Sequence, residues 1–220
     1  MYRLYAAPGA CSRVPLISLI EAGAEFDIDL VRFMNGAHKR PDYLSLNPKG
    51  KVPCLVTDEG PITENVAIAR FLAARHRGLL PEVKTPYDDA LLTADLAFCA
   101  STLHPIVSRM RVPMFMAEGD QAIASVRAKA MDAMHPMAAV VEAQLQGRDW
   151  WYGDHWSVMD AYIYWVYFRV TGGGFPVDAY PGWGAHARRM EARPAVQRAL
   201  AMEADLQSTL EAEGLAPRMA

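Results

Sequence analysis

The first 78 residues alternate between hydrophobic patterns typical of β-strands and patterns typical of α-helices. The stretch "MYRLYA" is a short β-prone run that ends at the Pro8-Gly9 turn. Apolar residues then recur at helical spacing from Ser12 to about Ala22, and Gly23 follows as a helix stop. The pattern predicts a strand, a turn and a helix in close succession.

Three more segments complete this region. "FDIDLVRF" predicts a second strand, "KVPCLVT" a short strand interrupted by Pro53, and "GPIT" a turn with an edge strand. "ENVAIARFLAARH" returns to helical periodicity. The predicted order is β-α-β followed by β-β-α, which is a compact α/β domain.

From Thr85 onward the chain is dominated by long helix-forming windows rich in Ala, Leu, Met, Glu and Arg. The stretch "GLLPEVKTP" before them has the glycine and proline content of a linker. We therefore predict an α/β domain at residues 1–78, a linker at 79–86 and an all-helical domain at 87–220.

Composition and charge narrow the function classes. The chain is 52% hydrophobic and 21% charged, with a net charge of −3, and it has no basic tract that would suggest nucleic-acid binding. No signal peptide is visible at the N-terminus, and the most apolar window, "WSVMDAYIYWVYFRV", is too short for a membrane span. The three cysteines lack a C-x-x-C pair, so we expect a cytoplasmic protein without a disulfide framework or metal site.

The stretch "APGACSRVPL" places Cys11 between a Pro-Gly turn and a helix start. A helix N-terminus lowers the pKa of a cysteine thiol and so favours the reactive thiolate. The alternative is a small apolar residue that fills a gap beneath a loop. Arg13 either adds to the local field or is solvated.

Two further segments carry candidate chemistry. In "NPKGKVPC", a cis bond before Pro53 would expose the backbone of Val52, although only about 5–6% of X–Pro bonds are cis. In "PITENVAIARFL", Glu64 and Asn65 precede an apolar helix, with Thr63 as a candidate cap. The same three residue types would serve any ordinary helix start.

Taken in order, "PGACSRV", "HKRPDYLSLNPKGKVPCLV" and "ITENVAIARFLA" resemble the glutathione S-transferase family. "YGDHWSVMDAYIYW" is similar to the family's buried capping element, with Ser157 and Asp160 as the capping box. "PGACS" most resembles the bacterial beta-type, cysteine-containing class. The resemblance implies a thioredoxin-like N-terminal domain, an α-helical domain with a hydrophobic pocket, and a homodimer.

The resemblance also implies which residue lies beside the sulfur of glutathione. Cys11 is the first candidate, and Ser12 is the alternative because "SRV" is similar to Ser-type and isomerase-like members. Tyr5 could be a Tyr-type residue. His104, in "STLHPIV", matches a histidine of beta-type members that would favour the thiolate, or it is a helix-surface residue.

The implied binding residues form two sets. Glutathione would contact His38, Lys39, Lys51, Val52, Pro53, Glu64 and Asn65, with a solvated loop as the alternative for the three cations. Candidate walls of the hydrophobic pocket are Met110, Met114, Phe115 and Tyr167, for which the alternative is plain core.

The expected function is a detoxifying transferase that joins glutathione, as co-substrate, to small hydrophobic electrophiles. Two alternatives remain open. One is glutathione-dependent thiol-disulfide exchange, reductive dehalogenation or isomerisation, and Cys11 favours its redox versions. The other is a non-catalytic glutathione-binding module. No metal, nucleic acid or membrane partner is expected.

Overall fold

A computed structural model describes residues 1–216, which form two compact units. The first unit contains residues 1–79 together with residues 192–216, and the second contains residues 80–191. The predicted helical domain, 87–220, thus differs from the second unit at its C-terminal end. Residues 217–220 of that prediction lie outside the described residues.

A mixed sheet of four strands organises the first unit, as far as residues 1–216 show. Its strands are β1 (Tyr2–Ala6), β2 (Phe26–Leu30), β3 (Cys54–Thr57) and β4 (Gly60–Thr63), in the order β2-β1-β3-β4. β1 is parallel to β2 and antiparallel to β3, and β3 and β4 form an antiparallel hairpin. Parallel neighbours need a crossover connection, so a helix must join β1 to β2.

That crossover is α1 (Arg13–Glu21), which the helical spacing predicted. α2 (Pro41–Leu46) precedes β3, and α3 (Asn65–Arg75) follows β4. α2 was not predicted because six residues are too few to show a period, although proline at its first position is typical of helix starts. The β-α-β and β-β-α order and the thioredoxin-like fold class are confirmed.

The second unit is helical. Its helices are α4 (Pro86–Ala97), α5 (His104–Arg111), α6 (Asp120–Leu145), α7 (Val158–Thr171) and α8 (Pro181–Glu191). A π-helical segment, Phe98–Leu103, joins α4 and α5 into one long helix. Pro105 explains the wider turn, because proline lacks an N–H and its ring crowds the carbonyl four residues earlier.

The capping box of α7 is confirmed. The backbone N–H and the hydroxyl of Ser157 each lie 2.9 Å from Oδ2 of Asp160, which is fully buried. The other carboxylate oxygen accepts from the N–H of Trp151 at 2.7 Å and lies 3.0 Å from Nε2 of His186. One buried carboxylate therefore fixes the loop before α7 and connects it to α8.

The last helix, α9 (Pro194–Ala212), packs in the first unit rather than with the other helices of the predicted domain. Its Glu203 accepts from Nε and Nη2 of Arg13 at 2.9 and 2.5 Å. Both side chains are buried, at 4% and 7% exposure, so Arg13 is not solvated. This ion pair ties α9 to the start of α1 and gives the physical reason for the difference in boundaries.

The long helix Pro86–Arg111 has an 18-residue window with a mean hydropathy of 1.4, of which 33% is buried. By length and composition alone, among the described residues, it could cross a membrane. One such helix is weak support for a membrane span, because core helices of soluble proteins pass the same test.

Candidate functional site

Cys11 lies at the end of the turn that connects β1 to α1. The turn is closed by a bond from the N–H of Ala10 to the carbonyl of Ala7, at 3.1 Å. The Cys11 side chain is 8% exposed, and its Sγ donates to the backbone oxygen of Val52 at 3.4 Å. The start of α1 favours negative charge at this point. The structure thus brings together two of the segments singled out in the sequence.

The hydroxyl of Ser12 forms its hydrogen bonds within the same turn. Its hydroxyl accepts from the N–H of Ala7 and donates to the carbonyl of Ala7, both at 3.2 Å, and the residue is 1% exposed. A serine hydroxyl has one hydrogen to donate. That hydrogen is used within the turn, and the side chain fixes the backbone that carries Cys11.

The peptide bond between Val52 and Pro53 is cis, and Pro53 is buried directly before β3. The carbonyl of Val52 faces the Cys11 sulfur, as the 3.4 Å contact shows. The cis bond that the sequence suggested is therefore present, and it places the Val52 backbone beside the thiol.

Glu64 and Asn65 begin α3 on an unusual backbone. Glu64 has φ 73° and ψ 128°, and it is the non-glycine residue with positive φ among residues 1–216. Such conformations cost about 1–3 kcal/mol and often mark functional sites. Asn65 is 6% exposed, and its Oδ1 is buried without a hydrogen-bond partner in the described chain. An acceptor left in that state is costly unless a ligand supplies a donor.

The predicted cations lie on two segments: His38 and Lys39 on the 3₁₀ turn Ala37–Lys39, and Lys51 in the loop before β3. Lys39 and Lys51 are exposed, and His38 is partly buried against Phe33, with 4.7 Å between ring centroids. Burial, and then the charge of Lys39, lowers the pKa of His38, so its ring is neutral at pH 7. Lys49, which the sequence did not single out, pairs with Glu64 at 2.6 Å.

Tyr5 is partly buried against the core, and the remaining cysteines are core residues. Burial and the nearby Asp29 raise the pKa of Tyr5, so its phenol stays protonated. Burial also raises the pKa of Cys54 to about 11 and that of Cys99 well above its usual range. None of the three cysteines, all of which lie in the described residues, forms a disulfide.

His104 begins α5, directly after the π-helical segment. Its Nδ1 lies 3.2 Å from the hydroxyl of Tyr162, and its ring packs on Trp165 with 4.5 Å between centroids. π-helical segments are frequent at functional sites. His104 is partly buried against these two aromatic rings, so it does not lie freely on the helix surface.

The four proposed pocket residues have different surroundings within the helical unit. Met110 is 2% exposed and packs closely on Gly173, and Tyr167 lies edge-on to Trp183 with 5.6 Å between centroids. Met114 and Phe115 are 47% and 82% exposed, on a short 3₁₀ turn after α5. The structure places Met110 in the core, leaves Tyr167 half-buried, and places Met114 and Phe115 on the surface.

Two buried residues of α2 and the loop after it also belong to the glutathione-site candidate and were not predicted. Tyr43 and Asn47 each donate to the carbonyl of Lys51, the residue before Val52. The "NPKG" turn signal could have identified Asn47, whereas nothing in the pattern distinguishes Tyr43 from a core tyrosine. Within residues 1–216, no group of three or more His, Cys, Asp or Glu side chains is placed to hold a metal ion.

Comparison with known proteins gives a consistent result. Residues 1–74 match the family model described as "Glutathione S-transferase, N-terminal domain". A glutathione S-transferase of Xanthomonas campestris pv. campestris is 32% identical over 215 residues, which cover 97% of this chain and 99% of that protein.

Solved structures agree with the sequence relatives. A sphingomonad glutathione S-transferase complexed with glutathione is 34% identical and superposes with a TM-score of 0.80, over 92% of this chain and 98% of that one. A bacterial beta-class glutathione S-transferase of Sphingomonas chungbukensis is 31% identical with a TM-score of 0.79, over 91% and 98%.

Proposed function

We propose, since this chain belongs to the glutathione S-transferase family, that Cys11 lies beside the sulfur of bound glutathione and forms a mixed disulfide when it meets oxidised glutathione. The contact between the Cys11 sulfur and the Val52 carbonyl, at 3.4 Å, carries this proposal. A cysteinyl residue that pairs with the Val52 backbone brings its own sulfur near that of Cys11.

The γ-glutamyl end of glutathione binds at the start of α3. The unpartnered Oδ1 of Asn65 is an acceptor, and the α-ammonium of the ligand supplies three donors. Glu64 adds a carboxylate at the same point. Together they complement the positive charge of the α-ammonium group.

The glycyl end binds at the predicted cations. Lys39 and Lys51 supply positive charge to its carboxylate. His38 contributes as a neutral donor, because burial lowers its pKa. Pro53 packs beneath the ligand backbone at Val52.

Conjugation needs a glutathione thiolate held next to an electrophile. The thiol gives its proton to solvent, the sulfur attacks an electrophilic carbon, a C–S bond forms, and the leaving group departs with its electron pair. The start of α1 stabilises the thiolate.

Thiol-disulfide exchange is the second candidate, and the placement of Cys11 favours it. The Cys11 thiolate attacks oxidised glutathione, a mixed disulfide forms, and one glutathione thiolate leaves. Ser12 has no such chemistry, and its hydroxyl is committed to Ala7.

The hydrophobic part of the electrophile is proposed to contact Met114 and Phe115. Their exposure on a 3₁₀ turn leaves apolar surface available, whereas Met110 is buried and Tyr167 is half-buried against Trp183. Methionine and aromatic side chains adapt to varied apolar ligands.

We also propose that the protein works as a cytoplasmic homodimer. Only 33% of the most apolar window of helix Pro86–Arg111 is buried within the described chain, and Tyr87 and Leu91 are 72% and 49% exposed. An apolar helix face of this kind is typical of an interface. Sedimentation of wild type and Leu91→Glu tests it: the variant should be monomeric, and a wild-type monomer would refute the proposal.

Two assays on four proteins test the assignment of Cys11. Wild type, Cys11→Ala, Ser12→Ala and the control Cys99→Ala are compared in aryl-halide conjugation and in disulfide exchange with oxidised glutathione. We expect Cys11→Ala to lose the exchange activity and Ser12→Ala to keep it. The assignment is wrong if Cys11→Ala keeps both activities while a folded Ser12→Ala loses conjugation.

A further inference from the structure

The carbonyl of Lys51 is held by two buried donors. The hydroxyl of Tyr43 and Nδ2 of Asn47 both donate to it, each at 2.6 Å. Tyr43 is 6% exposed and Asn47 is 1% exposed, so neither donor exchanges readily with water. Two short bonds to one carbonyl fix its direction.

The direction of that carbonyl determines the direction of the next N–H. The cis bond in the described chain is the one between Val52 and Pro53, so the bond between Lys51 and Val52 is trans. In a trans peptide the C=O and the following N–H point in opposite directions. With the Lys51 carbonyl turned toward Tyr43 and Asn47, the N–H of Val52 points away from α2.

We propose that Tyr43 and Asn47 are positioning residues, which aim the Val52 N–H at the cysteinyl carbonyl of glutathione. This inference rests on the proposed binding of glutathione at Val52. Neither side chain touches the ligand in this account, and both act through the peptide plane between Lys51 and Val52.

The loop between α2 and β3 is built to keep this arrangement. Oδ1 of Asn47 accepts from the N–H of Lys49 at 3.2 Å, and the Asn47 carbonyl accepts from the N–H of Gly50 at 2.9 Å. Gly50 has φ 61°, and a Cβ there would lie 2.9 Å from the carbonyl oxygen of His38. Asn47 therefore closes the turn with its oxygen while its nitrogen holds Lys51.

Tyr43 stays a donor at any physiological pH. Burial, and then the neighbouring Cys54, raises its pKa well above the ordinary range for tyrosine. Its ring packs on Tyr5, with 5.6 Å between centroids, so the hydroxyl has a fixed position. The ring does the packing, and the hydroxyl alone reaches Lys51.

Two isosteric substitutions separate positioning from packing. Tyr43→Phe keeps the ring and removes one donor, and Asn47→Asp keeps the turn-closing oxygen and removes the other. A lost neutral hydrogen bond corresponds to a change on the order of 5-fold in an equilibrium constant. We expect Tyr43→Phe to raise the dissociation constant for glutathione about 5-fold, and Asn47→Asp by more, because a carboxylate faces the carbonyl.

The matched control is Tyr2→Phe, which also loses one hydroxyl contact, the 3.2 Å contact to Nε2 of His76. Calorimetry with reduced glutathione gives the dissociation constants, and steady-state kinetics separate KM from kcat. We expect a raised KM for glutathione, an unchanged kcat at saturation and an unchanged KM for the electrophile in Tyr43→Phe. Tyr2→Phe should match wild type.

The outcomes distinguish a failure of the positioning role from a failure of the proposed function. If wild type binds glutathione and Tyr43→Phe binds it equally well, the positioning role is overturned and the proposed function stands. If kcat falls with KM unchanged, the role is likewise overturned. If wild type does not bind glutathione, both the proposed function and the positioning role are overturned.

Discussion

Removal of Glu203 should destabilise the protein strongly, because it leaves the Arg13 guanidinium buried without its carboxylate. The two side chains are 4% and 7% exposed and meet at 2.5 and 2.9 Å. Breaking one partner of a buried pair costs about 3–5 kcal/mol. For a chain of this size, each kcal/mol lowers Tm by about 2–4 °C, so Glu203→Ala should melt about 6–20 °C below wild type.

A double-mutant cycle distinguishes a lost partner from lost packing. Urea unfolding is followed by circular dichroism for wild type, Glu203→Leu, Arg13→Met and the double variant. The double variant should recover most of the stability, since apolar replacement of a buried ion pair is often neutral. The reasoning is refuted if Glu203→Leu costs less than about 1 kcal/mol, the range of exposed pairs.

Three further predictions concern single side chains. Asn65→Ala should weaken glutathione binding about 10-fold without lowering Tm, because its Oδ1 has no partner in the described chain, and calorimetry and melting measure the two effects. Asp160→Ala should cost about 3–5 kcal/mol in urea unfolding, since it leaves buried donors of Trp151 and Ser157 unpaired. Burial raises the pKa of Cys54 from 9.0 to about 11, so the folded state holds more protons than the unfolded state between these pH values. The protonated thiol therefore contributes about 2–3 kcal/mol to the free energy of unfolding below pH 9, and this contribution is lost as pH rises through 11. Urea titrations across this pH range should show a smaller loss of stability in Cys54→Ala.

The sequence predicted the fold well where local signals are strong. The strands were located by short β-prone runs beside turn residues, α1 by helical spacing, and the capping box of α7 by Ser157 and Asp160. These features depend on local patterns, which neighbouring residues determine. α2 was missed because one turn and a half of helix is too short to show a period.

Contacts between distant segments could not be predicted from spacing. The bond from Arg13 to Glu203 joins residues 190 positions apart, and it draws α9 into the first unit. The commitment of the Ser12 hydroxyl to Ala7 depends on the turn geometry, which the residue types do not determine. The hydrogen bond from the Tyr43 hydroxyl to the Lys51 carbonyl also depends on the position of Lys51 in the fold, which spacing does not predict.

Intact-protein mass spectrometry after incubation with oxidised glutathione tests the central claim, that Cys11 lies against the glutathione sulfur, most directly. Wild type, Cys11→Ala and Cys99→Ala are measured before and after reduction. We expect wild type and Cys99→Ala each to gain one glutathione, which reductant removes, and Cys11→Ala to gain none. An adduct of equal yield on Cys11→Ala, or no adduct on wild type, would contradict it.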